Sequence, residues 1–320
     1  MFHILNKNLN FQLIFITILT GWAGWTIFTQ MTFLPSEGSM FLFQLLSNLW
    51  VKAPVLIRIL VLIMVITMTI GITTNFEKNH FHENRTFMPG LFLLLLLNCG
   101  KFLHTLTPGL LTVFILSLLI VLYSPNDQSS RIKERIFTVG LLISIATFFD
   151  ISAFGLAIFF ILMIAINNIT SFKDIMILFL GLLFPYIYAF SIAFISNSLP
   201  QLLHSWQNMH VFEPIKQFTH LRIIDYVAML WFVIVVISLM IRDKNLLDNK
   251  LIVIRQAFNN VNMLLFSMLL FLWLSMFPLP SALIYFLLPV STYMAISITH
   301  KKYRYLFDFL IVSLCILLCL

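Results

Sequence analysis

Charge is what this 320-residue sequence has least of: 19 Lys and Arg and 12 Asp and Glu make 10% of the chain, where a soluble domain carries about a quarter. A chain so poor in polar surface cannot face water all round, which excludes a soluble globular fold and makes lipid its solvent. The net charge of +7 does not point to nucleic acid either. No basic run exceeds three residues, and no aromatic side chains interleave with basic ones as on single-strand-binding surfaces. Cysteine is scarce: Cys99, Cys315 and Cys319 lie in or beside apolar segments without CxxC spacing. They read as small buried hydrophobes, not as a disulfide framework or metal site. There is no P-loop, no Rossmann glycine fingerprint and no nucleophile elbow, so the sequence gives no support for energy coupling to a nucleotide within the chain. No repeat of 20–50 residues and no long linker divides the sequence, so residues 1–320 read as one membrane domain.

What the sequence has instead is hydrocarbon, with 61% hydrophobic residues and a mean hydropathy of +1.01. Eleven apolar segments stand out, roughly 10–31, 54–72, 87–99, 107–123, 136–149, 151–167, 175–195, 224–241, 257–276, 281–298 and 305–320. The expected fold is an all-α integral membrane protein of about 11 transmembrane helices. A helix perpendicular to the bilayer needs about 20 residues to cross it, so the third and fifth segments are short and each is expected to borrow a turn from its flank. Lys7 precedes the first run and no small-residue cleavage pattern follows it, so that run reads as an uncleaved span.

Lysine and arginine orient the spans. With the N-terminus inside, fourteen cations fall in inner loops: Lys7, Lys78, Arg85, Arg131, Lys133, Arg135, Lys173, Arg242, Lys244, Lys250, Arg255, Lys301, Lys302 and Arg304. Four fall outside, Lys52, Lys101, Lys216 and Arg222, and Arg58 lies just within the second span. This bias predicts N-terminus inside and C-terminus outside. Two outer stretches exceed plain turns. In Thr32–Ala53, the run Met40–Trp50 suits a helix lying in the interface with Trp50 at headgroup depth. Ser196–Ile223 is the most polar part of the chain, interrupted by Pro200 and Pro214.

Candidate chemistry concentrates on this outer side. Glu37, in a Pro-Ser-Glu-Gly turn, suits a general base or a ligand for a divalent cation at the membrane surface, and equally a solvated turn residue. Asp150 sits at the tip of a hairpin that is otherwise nearly all hydrocarbon, from Arg131 to Thr170. A carboxylate there marks a site or caps the helix beginning at Ile151. Lys52, Arg58 and Arg222 are candidate phosphate or pyrophosphate ligands, a guanidinium being able to bind two oxygens at once, while snorkelling is the plainer account of Arg58. His204, His210, Glu213 and His220 lack metalloprotein spacing. No metal site and no cofactor is evident, and a divalent metal has no motif to support it.

The segments ENRTFMPGLFLLLLLN, LTPGLLTVFILSLLIVLY, RIFTVGLLISIATFFDISAFGLAIFFILMIAI and DIMILFLGLLFPYIYAF, between Glu83 and Phe190, resemble a family of polytopic inner-membrane proteins of Bacteroidota. That resemblance implies a bacterial inner-membrane location. More remotely, Glu37 followed by the Met40–Trp50 helix, and the mid-chain hairpin behind its basic loop, resemble GT-C-type membrane glycosyltransferases. Those enzymes take a polyprenyl-phosphate-linked sugar at the outer face and place an acidic catalytic residue in the first outer loop, the position Glu37 holds here. The chain departs from that pattern in having no acidic pair in this loop, Asp150 where a lysine or threonine is common, and no soluble C-terminal domain. Three readings follow: an outer-face enzyme on lipid-linked sugars, a transporter or flippase of an envelope precursor, and a non-catalytic membrane subunit of an envelope assembly.

Overall fold

The computed structural model describes residues 9–33, 41–79, 81, 86–122, 132–150, 153–166, 172–197, 252–274 and 283–298, with isolated positions between 199 and 238 and at 313. Within these residues the chain is helical: α1 Leu9–Thr29, α2 Phe41–Lys52, α3 Pro54–Lys78, α4 Met88–Cys99, α5 Pro108–Leu122, α6 Ile132–Thr147, α7 Phe154–Ile166, α8 Phe172–Ile195, α9 Ile252–Leu274 and α10 Leu287–Ile298, the last entered through a 3-10 turn, Leu283–Phe286. The helices α1, α3 and α8 are long and apolar enough to cross a membrane. The expected segments 224–241 and 305–320 lie almost wholly outside the described residues. The helix expected at Met40–Trp50 is present as α2.

Helix edges follow local chemistry. Pro54, Pro89 and Pro108 stand in the first turns of α3, α4 and α5, where a missing N–H costs nothing. The short fifth segment gains a turn at its N-terminal side, so α6 starts at Ile132. The short third segment does not lengthen. α4 keeps 12 residues, about 18 Å at 1.5 Å per residue, and ends where Lys101 takes a left-handed backbone with φ 55°.

α4 tolerates its shortness because it touches little but protein. Met88 through Leu94 and Leu96 through Cys99 are all buried, with α1, α3 and α10 packed around them. The approach of α3 is close: a Cβ on Gly90 would lie 2.7 Å from both Thr69 Cγ2 and Thr73 Oγ1. α10 is likewise buried from Leu287 to Ile296. The outer helices show the opposite pattern, with Phe172, Phe179, Leu180, Leu183, Ile187 and Ile192 of α8 exposed, as suits a face turned to lipid.

α8 is held by α6 through backbone contact. A Cβ on Gly181 would stand 2.4 Å from the Phe137 carbonyl oxygen, and one on Gly140 would stand 2.4 Å from that of Leu178. Lipid supplies no hydrophobic drive between helices, so close approach at small residues is what makes such a pair adhere. Gly181→Ala should therefore lower the melting temperature of the purified protein by the equivalent of about 1–3 kcal/mol of overpacking, despite alanine's better helix propensity. Pairing it with Gly140→Ala should be less than additive, because both act at one crossing.

Candidate functional site

Three features converge at one end of the bundle, where α1 finishes and α3, α5, α7 and the 3-10 turn begin. The first is a two-residue parallel pairing of Thr32–Phe33 (β1) with Thr105–Leu106 (β2). The Thr32 N–H donates to the His104 carbonyl at 2.8 Å. The loops following α1 and α4 are thereby fastened side by side. Burial, with the Lys101 charge second, lowers the pKa of His104, so this junction favours the neutral ring.

The second feature is an aromatic nest beneath α2. Phe33 stacks on Phe43 with ring centroids 4.8 Å apart and lies 6.0 Å from Trp50, and the Arg58 guanidinium sits 5.5 Å from the centre of the Trp50 ring. That distance suits a cation–π contact. Arg58 Nε is buried without a hydrogen-bond partner. Lys52 is exposed in the last turn of α2, six residues from Arg58. Of the proposed phosphate ligands, Lys52 and Arg58 thus share the α2–α3 corner. Arg222 lies outside the described residues, and so does Glu37.

The third feature is Asp150. It is 3% exposed, directly after α6, and Tyr285 of the 3-10 turn donates its hydroxyl to Asp150 Oδ2. The Tyr285 ring packs over Gly109 at the start of α5, where a Cβ would come within 3.2 Å of the hydroxyl oxygen. The carboxylate therefore joins the α6–α7 turn to a residue 135 positions later. The backbone of the turn is closed by Asp150 N–H to Ala146 and Ala153 N–H to the Asp150 carbonyl. Beside it Thr147 Oγ1 and the Tyr186 hydroxyl of α8 are hydrogen-bonded.

A groove of about 670 Å³ runs between α1 and α3. On α3 its lining includes Leu62, Ile66, Thr69, Thr73 and Glu77, a stripe at helical spacing that Arg58 continues one turn beyond Leu62. Five threonines line the groove, yet every hydroxyl is turned into its own helix. Thr17 donates to Ile14, Thr20 to Ile16, Thr69 to Val65, Thr73 to Thr69 and Thr74 to Gly71, at 2.7–2.8 Å. Apart from Glu77 the walls consequently present mainly apolar groups, and that part of the groove suits a hydrocarbon chain. Neither this groove nor the smaller cavity described below is lined by Asp150 or Arg58.

Among the described residues no group of three His, Cys, Asp or Glu side chains gathers to hold a metal ion; Glu213, His210 and His220 lie outside them. Sequence reasoning passed over Tyr285 altogether, because a tyrosine in an apolar run carries no signal until its partner is known. It also passed over Asn75 and Asn260, although the run Asn259-Asn260-Val261-Asn262 inside the ninth segment is a visible break in hydrocarbon. Compared with protein families, characterised proteins and solved structures, the chain shows no match.

Two outcomes test this geometry. Tyr285→Phe removes a donor from a buried carboxylate and should cost about 1–3 kcal/mol of stability. Asp150→Asn combined with it should add little; full additivity in thermal melts would show that the two side chains do not act on each other. For His104 the folded pKa lies below the unfolded one, so the unfolded chain binds the proton first. Stability should decline as pH falls through the ordinary histidine value of about 6.5 and level off below the lowered folded value. His104→Gln should flatten that part of a melting-temperature profile between pH 7.5 and 5.

Proposed function

We propose that this chain is a multi-pass inner-membrane protein, with about 11 spans, N-terminus inside and C-terminus outside, that acts at the outer face on a phosphate-bearing lipid. In the fullest form of this reading it is a GT-C-like glycosyltransferase taking a polyprenyl-phosphate-linked sugar. The observation that carries it is Arg58. Its Nε is buried and unpartnered, its guanidinium carbon lies over the Trp50 ring, and it continues the α3 stripe beyond a mainly apolar groove. A guanidinium so presented binds phosphate oxygens, with Lys52 adding charge and Arg222 completing the set from the second outer stretch. The groove receives the chain. Glu37 is the general base in this reading, and Asp150, committed to Tyr285, supports the end of the bundle on which the reaction takes place.

The transporter or flippase reading draws on a different observation, the neutral polar side chains that meet inside the bundle around Asn79. The non-catalytic subunit reading draws on the separation of Asp150 and Arg58 from either cavity. Surface glycan made normally by a Glu37→Gln protein would exclude the enzyme reading and leave these two.

Binding is measured by native mass spectrometry of the protein released from nanodiscs holding either a polyprenyl phosphate or the matching polyprenol. The phosphate form should be retained in preference. Arg58→Ala should weaken its retention by about 10–100-fold, the equivalent of one charge-assisted hydrogen bond of about 1.5–3 kcal/mol, and Arg58→Lys by less. Equal retention of phosphate and alcohol would refute the assignment of Arg58.

A further inference from the structure

In the half of the bundle away from Asp150, a second cavity of about 50 Å³ lies among α3, α5, α7, α9 and α10. Its walls are mainly apolar, with Ile72, Ile120, Phe159, Phe160, Leu264 and Leu288 among them, but four polar residues line it as well: Asn75, Asn79, Asn260 and Thr292. These come from three different helices. Asn79 is 4% exposed. Its Nδ2 donates back to the Asn75 carbonyl at 3.0 Å and to Asn75 Oδ1 at 3.1 Å, while its own Oδ1 is buried with no hydrogen-bond partner. Thr292 spends its proton on the Leu288 carbonyl at 3.0 Å, which leaves its oxygen as an acceptor.

An unpaired amide oxygen in such surroundings costs about 1–3 kcal/mol, and buried acceptors of this kind are met by ordered water where there is room. There is room here for about three molecules, at 10–15 Å³ each. Charge is the wrong complement, because no Asp, Glu, Lys or Arg lines the cavity and an ion without a counter-charge is costly at this depth. A hydrocarbon occupant would leave Asn79 Oδ1 unmet.

We infer that this cavity is an internal hydration site, in which a small cluster of water donates to Asn79 Oδ1 and Thr292 Oγ1 and links α3 to α10. Neutral hydrogen-bond donors of the size of water are the class of ligand it accepts. Water at this position gives α3 and α10 a joint that can exchange partners, so small relative shifts of the two helices keep every acceptor satisfied. The inference stands on the cavity and on Asn79, independently of any role for Arg58.

X-ray hydroxyl-radical footprinting of the full chain in nanodiscs tests it, because bound water is the radical source and marks the side chains beside it. Phe160, 1% exposed, lines the cavity. Phe92, 0% exposed, lies in α4 and does not. Phe160 should be modified several-fold faster than Phe92 although both are inaccessible from bulk. Asn79→Leu should bring Phe160 down to the rate of Phe92 while Phe92 stays constant, which also reports that the variant is folded. Equal slow rates for both residues in the unaltered protein would overturn the proposal, as would fast modification of Phe160 that persists in folded Asn79→Leu. Were the variant to misfold, Phe92 would speed up, and the comparison within the unaltered protein would still decide.

Discussion

The bundle is arranged around a helix with almost no face for lipid. α4 is buried on nearly every side, so α1, α3 and α10 must each reach it, and their positions follow from that requirement. Gly90 lets α3 approach to the distance at which a methyl group would collide with Thr69 and Thr73. A helix enclosed in protein need not match the thickness of a bilayer, since its ends meet side chains and loops instead of headgroups. The burden of spanning falls on the periphery, where α1, α3 and α8 have the length and the exposed apolar surface for it.

Much of this frame was legible in the apolar runs. Prolines at helix starts and the polar breaks between segments set edges that agree with the structure to within a few residues for α1, α4, α5, α7, α8 and α10. The readings that changed depended on three-dimensional neighbours. The second segment runs on to Lys78, because Thr73 and Thr74 bond into the helix and cease to act as polar breaks. The third segment stays short, because shortness is penalised only where lipid is the neighbour. Asp150 reads from sequence as a site residue or helix cap at a hairpin tip, and the structure holds it 3% exposed against Tyr285, a pairing across 135 residues that no local pattern encodes. Arg58 and Trp50 could be read separately, but not as a stacked pair.

Charge drew attention and neutral polarity escaped it, which is the common thread of the residues missed. The threonines of the α1–α3 groove are polar in sequence and apolar in effect, their hydroxyls being spent on their own carbonyls. The asparagines at the small cavity behave the other way: Asn75 and Asn79 lie just past the second apolar segment and Asn260 within the ninth, and the Asn79 amide oxygen stays unspent. Hydropathy averages both sets toward the middle, whereas in the folded bundle one lines a groove with methyl groups and the other gathers acceptors around a cavity.

The bond between Tyr285 and Asp150 also has a history in time. At translation rates of about 5–20 residues per second, the 135 residues between them take on the order of ten seconds to emerge. Throughout that interval the α6–α7 hairpin holds its carboxylate without the tyrosine, while the glycine crossing of α6 and α8 is already available to form. The contact that joins the α6–α7 turn to the 3-10 turn is thus completed late, only when the tenth apolar segment arrives.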